Sequence, residues 1–113
     1  MTYKFGDIII CQFPFTDNSS SKKRPAVVIS SDSYNQSKED LIILAITSKV
    51  DKLLEHEELI EEWDDAGLFK PSAFKSSVFT IHKKRIHMRL GRIEQIDQTK
   101  LIKMVNTILK TSA

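Results

Sequence analysis

The stretch GDIIICQFPFTDNSSSKKRPAVVIS, residues 6–30, holds two short runs rich in Ile and Val, Ile8 to Phe13 and Pro25 to Ile29, separated by a polar, serine-rich loop. A third run, Leu41 to Ile46, follows soon after. Short apolar runs bounded by polar or turn residues read as buried strands. Arg24 fits a strand entry, because the residue before a proline is biased to extended backbone and Pro25 is tolerated at a strand's first position. Successive strands joined by short loops are most simply antiparallel neighbours. Setting Ser30 opposite Leu41 then sets Arg24 opposite Thr47, since paired positions in an antiparallel ladder keep a constant sum. In this register one rim of the sheet gathers the serine-rich loop, Lys22, Lys23, Arg24, Thr47, Ser48 and Lys49. A slip of one residue would send Arg24 and Thr47 to opposite faces.

Outward from this core, Ser72 to Ile81 and Ile86 to Ile93 read as further strands, with a weaker one near Leu53 to Ile60. Helix is scarce. Leu101, Ile102, Val105, Ile108 and Leu109 form one stripe of an amphipathic helix over Ile96 to Thr111, with Asp97 as its expected N-cap. Glu61 to Ala66 reads as a short helix stopped by Gly67, and Ser33 to Asp40 as one turn. Five or six short strands and one terminal helix predict a mainly β protein, a small, strongly bent sheet or barrel closed by that helix.

The chain of 113 residues is expected to form one domain spanning 1–113. Its 41% hydrophobic and 28% charged content is ordinary for a globular protein, and the net charge is only +2. The charges are segregated, however. Residues 51–65 carry eight acids and one lysine, whereas residues 70–92 carry seven bases, two histidines and no acid. A basic stretch attracts phosphates by its local field even when the total charge is small, although a solvated face looks the same in sequence. The single cysteine, Cys11, excludes an internal disulfide framework and a cysteine-built metal site, and its apolar neighbours mark it as a packed thiol. No signal peptide or membrane-length apolar run is present, so a cytoplasmic protein without a membrane partner is expected.

The Arg24 rim has the chemistry of a phosphate site. A guanidinium offers a planar fork of donors that stays charged at any working pH, and a threonine hydroxyl is a short donor and acceptor. Together they can hold a phosphodiester and stabilise charge developing on its oxygens. On spacing alone, a surface cation and a strand-end hydroxyl are the simpler account of the same residues.

Residues Gly6 to Ser30, with LAITSK at Leu44 to Lys49 and AGLFKPSAFKSSVFTI at Ala66 to Ile81, resemble the MazF/PemK family of toxins from bacterial toxin–antitoxin pairs. The matching features are a Gly-Asp-led strand, a polar loop, an Arg-Pro opening the next strand, a Thr-Ser closing the third, a later Gly-Leu-x-Lys-Pro-Ser segment and the final helix. The resemblance covers nearly the whole chain. It implies an SH3-like β-barrel of five to seven strands closed by a C-terminal helix, a homodimer, and a cognate antitoxin that binds as a flexible, often acidic segment. It also implies a metal-independent, cofactor-free endoribonuclease acting on single-stranded RNA, with messenger RNA the expected target. In such enzymes the ribose 2′-hydroxyl attacks its own phosphate, leaving a 2′,3′-cyclic phosphate and a 5′-hydroxyl. Arg24 and Thr47 stand where the family's catalytic Arg and Thr stand. Lys22, Lys23, Ser48, Lys49, Lys70, Ser72 and Lys75 are the expected RNA-binding residues.

The chain departs from the family at one point. Some members carry an arginine and an acidic residue on the strand that here reads Ser72 to Ser77, and rough placement along that strand puts Phe74 and Ser76 there. No acid–base carboxylate is thus visible, and the general base is not named. His56, His82 and His87 lack metal-ligand spacing, and in this topology none falls near the Arg24 rim; His82 and His87 are expected to flank a basic surface. Trp63 reads as a packing anchor, Phe13 as core and Phe15 as a support for a base or a partner peptide. Two other functions fit the same architecture: a non-enzymatic toxin that poisons DNA gyrase, and an RNA-binding module without catalysis. The Arg-Pro and Thr-Ser matches weigh against the first, and the missing carboxylate keeps the second open.

Overall fold

The computed structural model describes residues 2–13 and 22–111. Residues 14–21, the serine-rich loop with Phe15, lie outside the described residues. The elements in chain order are β1 (Asp7–Gln12), β2 (Lys23–Val28), α1 (Asp32–Ser37), β3 (Asp40–Thr47), β4 (Glu58–Leu59), β5 (Ala73–His82), a 3₁₀ turn (Lys83–Arg85), β6 (Ile86–Arg92) and α2 (Gln95–Leu109). The six strands form one antiparallel sheet in the order β4-β5-β3-β2-β1-β6.

The three apolar runs are the sheet's central strands because both of its faces are covered there. On one face Ile8, Val27, Leu44, Ile46 and Phe74 pack with Leu101 and Met104 of α2 and with Ile60, Ala66 and Leu68. On the other, Ile9, Cys11, Ala26, Val28, Leu41, Ile43 and Ile81 form a second cluster with Phe13 and Phe79 against it. A strand buried on both sides shows a continuous apolar run, not an alternation. Burial also pushes the Cys11 thiol up to about 12, so it stays protonated and inert at neutral pH.

The ladder between β2 and β3 has the predicted register, with Ala26 opposite Ala45, Val27 opposite Leu44 and Val28 opposite Ile43. Ser30 leaves it: Ile29 and Ser30 N–H groups both donate to Ile42 O, and Ser30 Oγ accepts from Ile42 N. Register shifts between Ile8 and Ile9, Ile10 and Cys11, and Leu44 and Ile46 bend the sheet. Among the described residues the sheet does not close into a barrel. Strands β4 and β6 are its edges, and α2 covers a face instead of sealing a seam.

Three local expectations change. The weak strand near Leu53 to Ile60 shrinks to Glu58–Leu59. Glu61 to Ala66 forms a series of turns, not a helix, with Ala66 N donating to Glu62 O, Gly67 N to Asp64 O and Leu68 N to Trp63 O. Asp97 is not the N-cap of α2; Glu94 holds that position. The Asp97 side chain is buried and accepts from the backbone N–H groups of Glu61 at 2.8 Å and Glu62 at 2.9 Å. It therefore clamps the turn to the helix across a long sequence separation. Hydrogen bonds to a charged group contribute about 1.5–3 kcal/mol each, so Asp97→Ala should cost about 3 kcal/mol in denaturant unfolding. Amide exchange should accelerate first at Glu61 and Glu62; a mere helix cap would speed exchange at the start of α2 instead.

Among the described residues no helix is long and apolar enough to cross a membrane.

Candidate nucleic-acid interface

Strand β2 begins at Lys23 and β3 ends at Thr47, so continuing the ladder from Ala26 and Ala45 by two residues carries Arg24 opposite Thr47. Beyond this end of the sheet lies a cleft of about 750 Å³. All nine residues singled out from sequence line it: Lys22, Lys23, Arg24, Thr47, Ser48, Lys49, Lys70, Ser72 and Lys75. Among the described residues its wall contains six cations and no carboxylate or imidazole. Like charges gathered on one concave wall focus a positive potential into the space they enclose.

Each contributor has a local cause. Thr47 Oγ1 accepts from the Lys49 N–H at 3.1 Å, a turn that ends β3 and fixes the hydroxyl. With one lone pair engaged there, its proton remains available to an incoming oxygen. Arg24 is exposed, and among the described residues no carboxylate pairs with it. Ser72, by contrast, is buried and donates to Lys70 O at 2.8 Å, so its hydroxyl holds the cleft wall together.

That wall, residues 67–72, is brought against β6 by two glycines. Gly67 has φ +96°, and a Cβ there would lie 2.7 Å from Leu90 O. At Gly91 a Cβ would lie 2.4 Å from Ala66 O. Only glycine permits so close a backbone approach. Leu68 then anchors in the core, and Phe69 and Lys70 project into the cleft.

The sequence matches the family model of PemK-like, MazF-like toxins of type II toxin–antitoxin systems over residues 4–110. The chain belongs to this toxin family. Comparison of the sequence with curated proteins finds no match. Among solved structures, the MazF fold is shared with a MazE–MazF complex from Deinococcus radiodurans, at TM-score 0.78 and 16% identity over 99% of this chain and 100% of that one. The Mycobacterium tuberculosis toxin MazF-mt6 aligns at TM-score 0.74 and 18% identity, covering 95% of this chain and 99% of that one. A mycobacterial endoribonuclease in complex with its cognate antitoxin aligns at 0.75 and 13%, covering 99% and 97%. At these identities the likeness concerns the fold of the PemK/MazF toxins.

Within that fold, Phe74 and Ser76, where the family's arginine and acidic residue are placed from the sequence, do not line the cleft. Phe74 is fully buried, and Lys75 and Ser77 line the cleft. The register shift between Leu44 and Ile46 gives β5 two extra residues here, an even number that leaves the alternation of faces intact, so Lys75, Ser77 and Phe79 all line the cleft. A cation, not an aromatic ring, thus occupies this part of the wall, and still no carboxylate. The histidines also differ from expectation. His87 comes up to the rim, where its Nδ1 lies 3.3 Å from Lys23 Nζ and accepts from that ammonium. Of the seven bases between residues 70 and 92, only Lys70 and Lys75 reach the cleft, while Arg89 and Arg92 turn to the buried Asp7. Sequence reasoning missed Phe69, Ser77 and Phe79 as cleft residues. Phe69 lies in a segment without periodicity, where no local pattern tells inward from outward.

Proposed function

We propose that this PemK/MazF-family toxin is a metal-independent endoribonuclease that cuts single-stranded RNA, messenger RNA in the first instance. The observation that carries the reading is the acid-free cleft holding six cations at the end of β2 and β3, with Arg24 and Thr47 both on its wall. In the reaction the ribose 2′-oxygen attacks the adjoining phosphorus and loses its proton. The bond from phosphorus to the 5′-oxygen breaks, and that oxygen takes up a proton. Arg24 holds the phosphate and stabilises its growing charge, and Thr47 orients a phosphate oxygen through its hydroxyl. The nucleophile belongs to the substrate, so its proximity is built in and few side chains suffice. Neighbours of the same fold include an endoribonuclease and complexes with a cognate antitoxin. By the same reasoning, a cationic cleft suits an acidic antitoxin segment that displaces RNA, with a homodimer as the working unit.

One observation favours a second reading. The described wall has no carboxylate or imidazole to move protons, as in a module that binds RNA without cutting it. Incubation of the protein with a long RNA in chelator separates the two. Discrete cuts ending in cyclic phosphate, abolished by a single 2′-deoxy substitution at the cut site, establish the cleavage. Retention of intact RNA establishes the binding module. Inhibited DNA supercoiling with neither result would move the toxin to the gyrase-poisoning class.

A further inference from the structure

Phe69 is 82% exposed, the most exposed of the large apolar side chains described, and it lines the cationic cleft. Single exposed apolar residues are common on protein surfaces and need no explanation alone. This one is distinguished by how firmly it is held outward. On its N-terminal side Gly67 is pinned against Leu90 and Leu68 is buried; on its C-terminal side Ser72 Oγ bonds Lys70 O and Ile60 N donates to Ser72 O. The segment cannot fold the ring back into the core without breaking these anchors. It therefore presents an apolar ring outward, on a cleft wall that Lys70 also lines.

We propose that Phe69 is a stacking platform for one base of the RNA strand. This deepens the reading given under Proposed function and rests on it. Single-stranded nucleic acid alternates phosphates with flat bases, and proteins that hold it interleave cations with exposed aromatic rings. The wall of this cleft has that alternation, with Phe69 set between the core-anchored Leu68 and the cation Lys70, and Lys49 and Lys75 on the same surface. The six cations supply the phosphate contacts, and the ring supplies a contact that every base can make. Phe69 thereby fixes where along the strand a phosphate comes to rest at Arg24, a positioning role distinct from the chemistry itself.

The test uses the full-length protein and a 2′-O-methyl RNA oligonucleotide, which resists cutting, carrying 2-aminopurine at successive positions. Wild-type protein should quench the fluorophore at one position. Phe69→Ala should bind about 5- to 100-fold more weakly, with the quench gone and the salt slope unchanged, since no phosphate contact is lost. Lys70→Ala should instead reduce the salt slope by about 1. Phe69→Trp should restore binding and quench, whereas Phe69→Leu, equally apolar but without a π-face, should behave as the alanine variant does. Because the side chain is exposed, the variants should melt like the wild type. Wild-type binding that Phe69→Ala or Phe69→Leu leaves intact overturns the inference while sparing the proposed function. So does a change of oligomeric mass in Phe69→Ala, or a loss confined to an acidic antitoxin peptide, since either assigns the ring to a protein contact. Wild-type protein that binds no RNA overturns both.

Discussion

Arg24→Ala protein should cut RNA about 10²–10³-fold more slowly than wild type under single-turnover conditions, with an unchanged melting temperature. The two halves of this expectation have separate causes. During displacement the phosphoryl oxygens gain negative charge, and a guanidinium already in place stabilises that charge more than it stabilises the ground state. Removing it raises the barrier of the chemical step, so the loss should persist at saturating RNA. Stability is spared because Arg24 sits exposed at a strand end, without an ion pair among the described residues. Arg24→Lys should recover part of the lost rate, since an ammonium supplies the charge but not the planar fork. Thr47→Ser, which keeps the hydroxyl, should be far more active than Thr47→Ala. An Arg24→Ala enzyme that cuts at the wild-type rate would remove this residue from the mechanism.

Asp7→Ala should lower stability by about 3 kcal/mol, a fall in melting temperature of roughly 10–20 °C for a chain of this size. Asp7 is fully buried at the start of β1, next to the edge strand β6. Its Oδ1 accepts from Arg92 Nε at 3.0 Å, its Oδ2 accepts from Lys4 N at 2.8 Å, and Arg89 Nη1 lies 3.6 Å from Oδ2. Breaking a fully buried ion pair costs about 3–5 kcal/mol. Both arginines here are about two-fifths exposed and can rehydrate, which places the cost at the lower end. Because the interaction ties β1 to β6, a double-mutant cycle with Arg92→Ala should show a coupling of about 1 kcal/mol or more. Additive single effects would mean that the two side chains meet without holding the strands together. RNA cleavage below the melting transition should survive, since neither arginine reaches the cleft.

The contrast between these variants reflects how differently their residues can be read from sequence. The β1-β2-β3 core was legible because Ile8 to Phe13, Pro25 to Ile29 and Leu41 to Ile46 are buried on both faces and carry their own punctuation. The constant sum of paired positions then placed Arg24 and Thr47 on one rim from chain order alone, and the β2–β3 ladder has that register. Other features depend on contacts that no local pattern records. Asp97 looks like a helix cap because it stands near the start of an amphipathic run, yet its carboxylate serves Glu61 and Glu62. The same capture of backbone N–H groups accompanies turns over Glu61 to Ala66 in place of a helix. The resemblance to the toxin family named the opening Gly-Asp as a landmark, but not its work, which is to bury a carboxylate against two arginines 82 and 85 residues further along.

From its sequence alone, this protein's core strands, their register and the chemical character of one rim were determined, because burial and antiparallel pairing leave periodic or arithmetical traces along the chain. Only the tertiary structure decided that Phe74 is buried in the core, that His87 meets Lys23, that the sheet of the described residues stays open, and that Phe69 stands outward among the cations. Those outcomes turn on packing against α2, an edge strand and a glycine-permitted backbone contact. Each is settled by what lies across the sheet, not by what lies next in the chain.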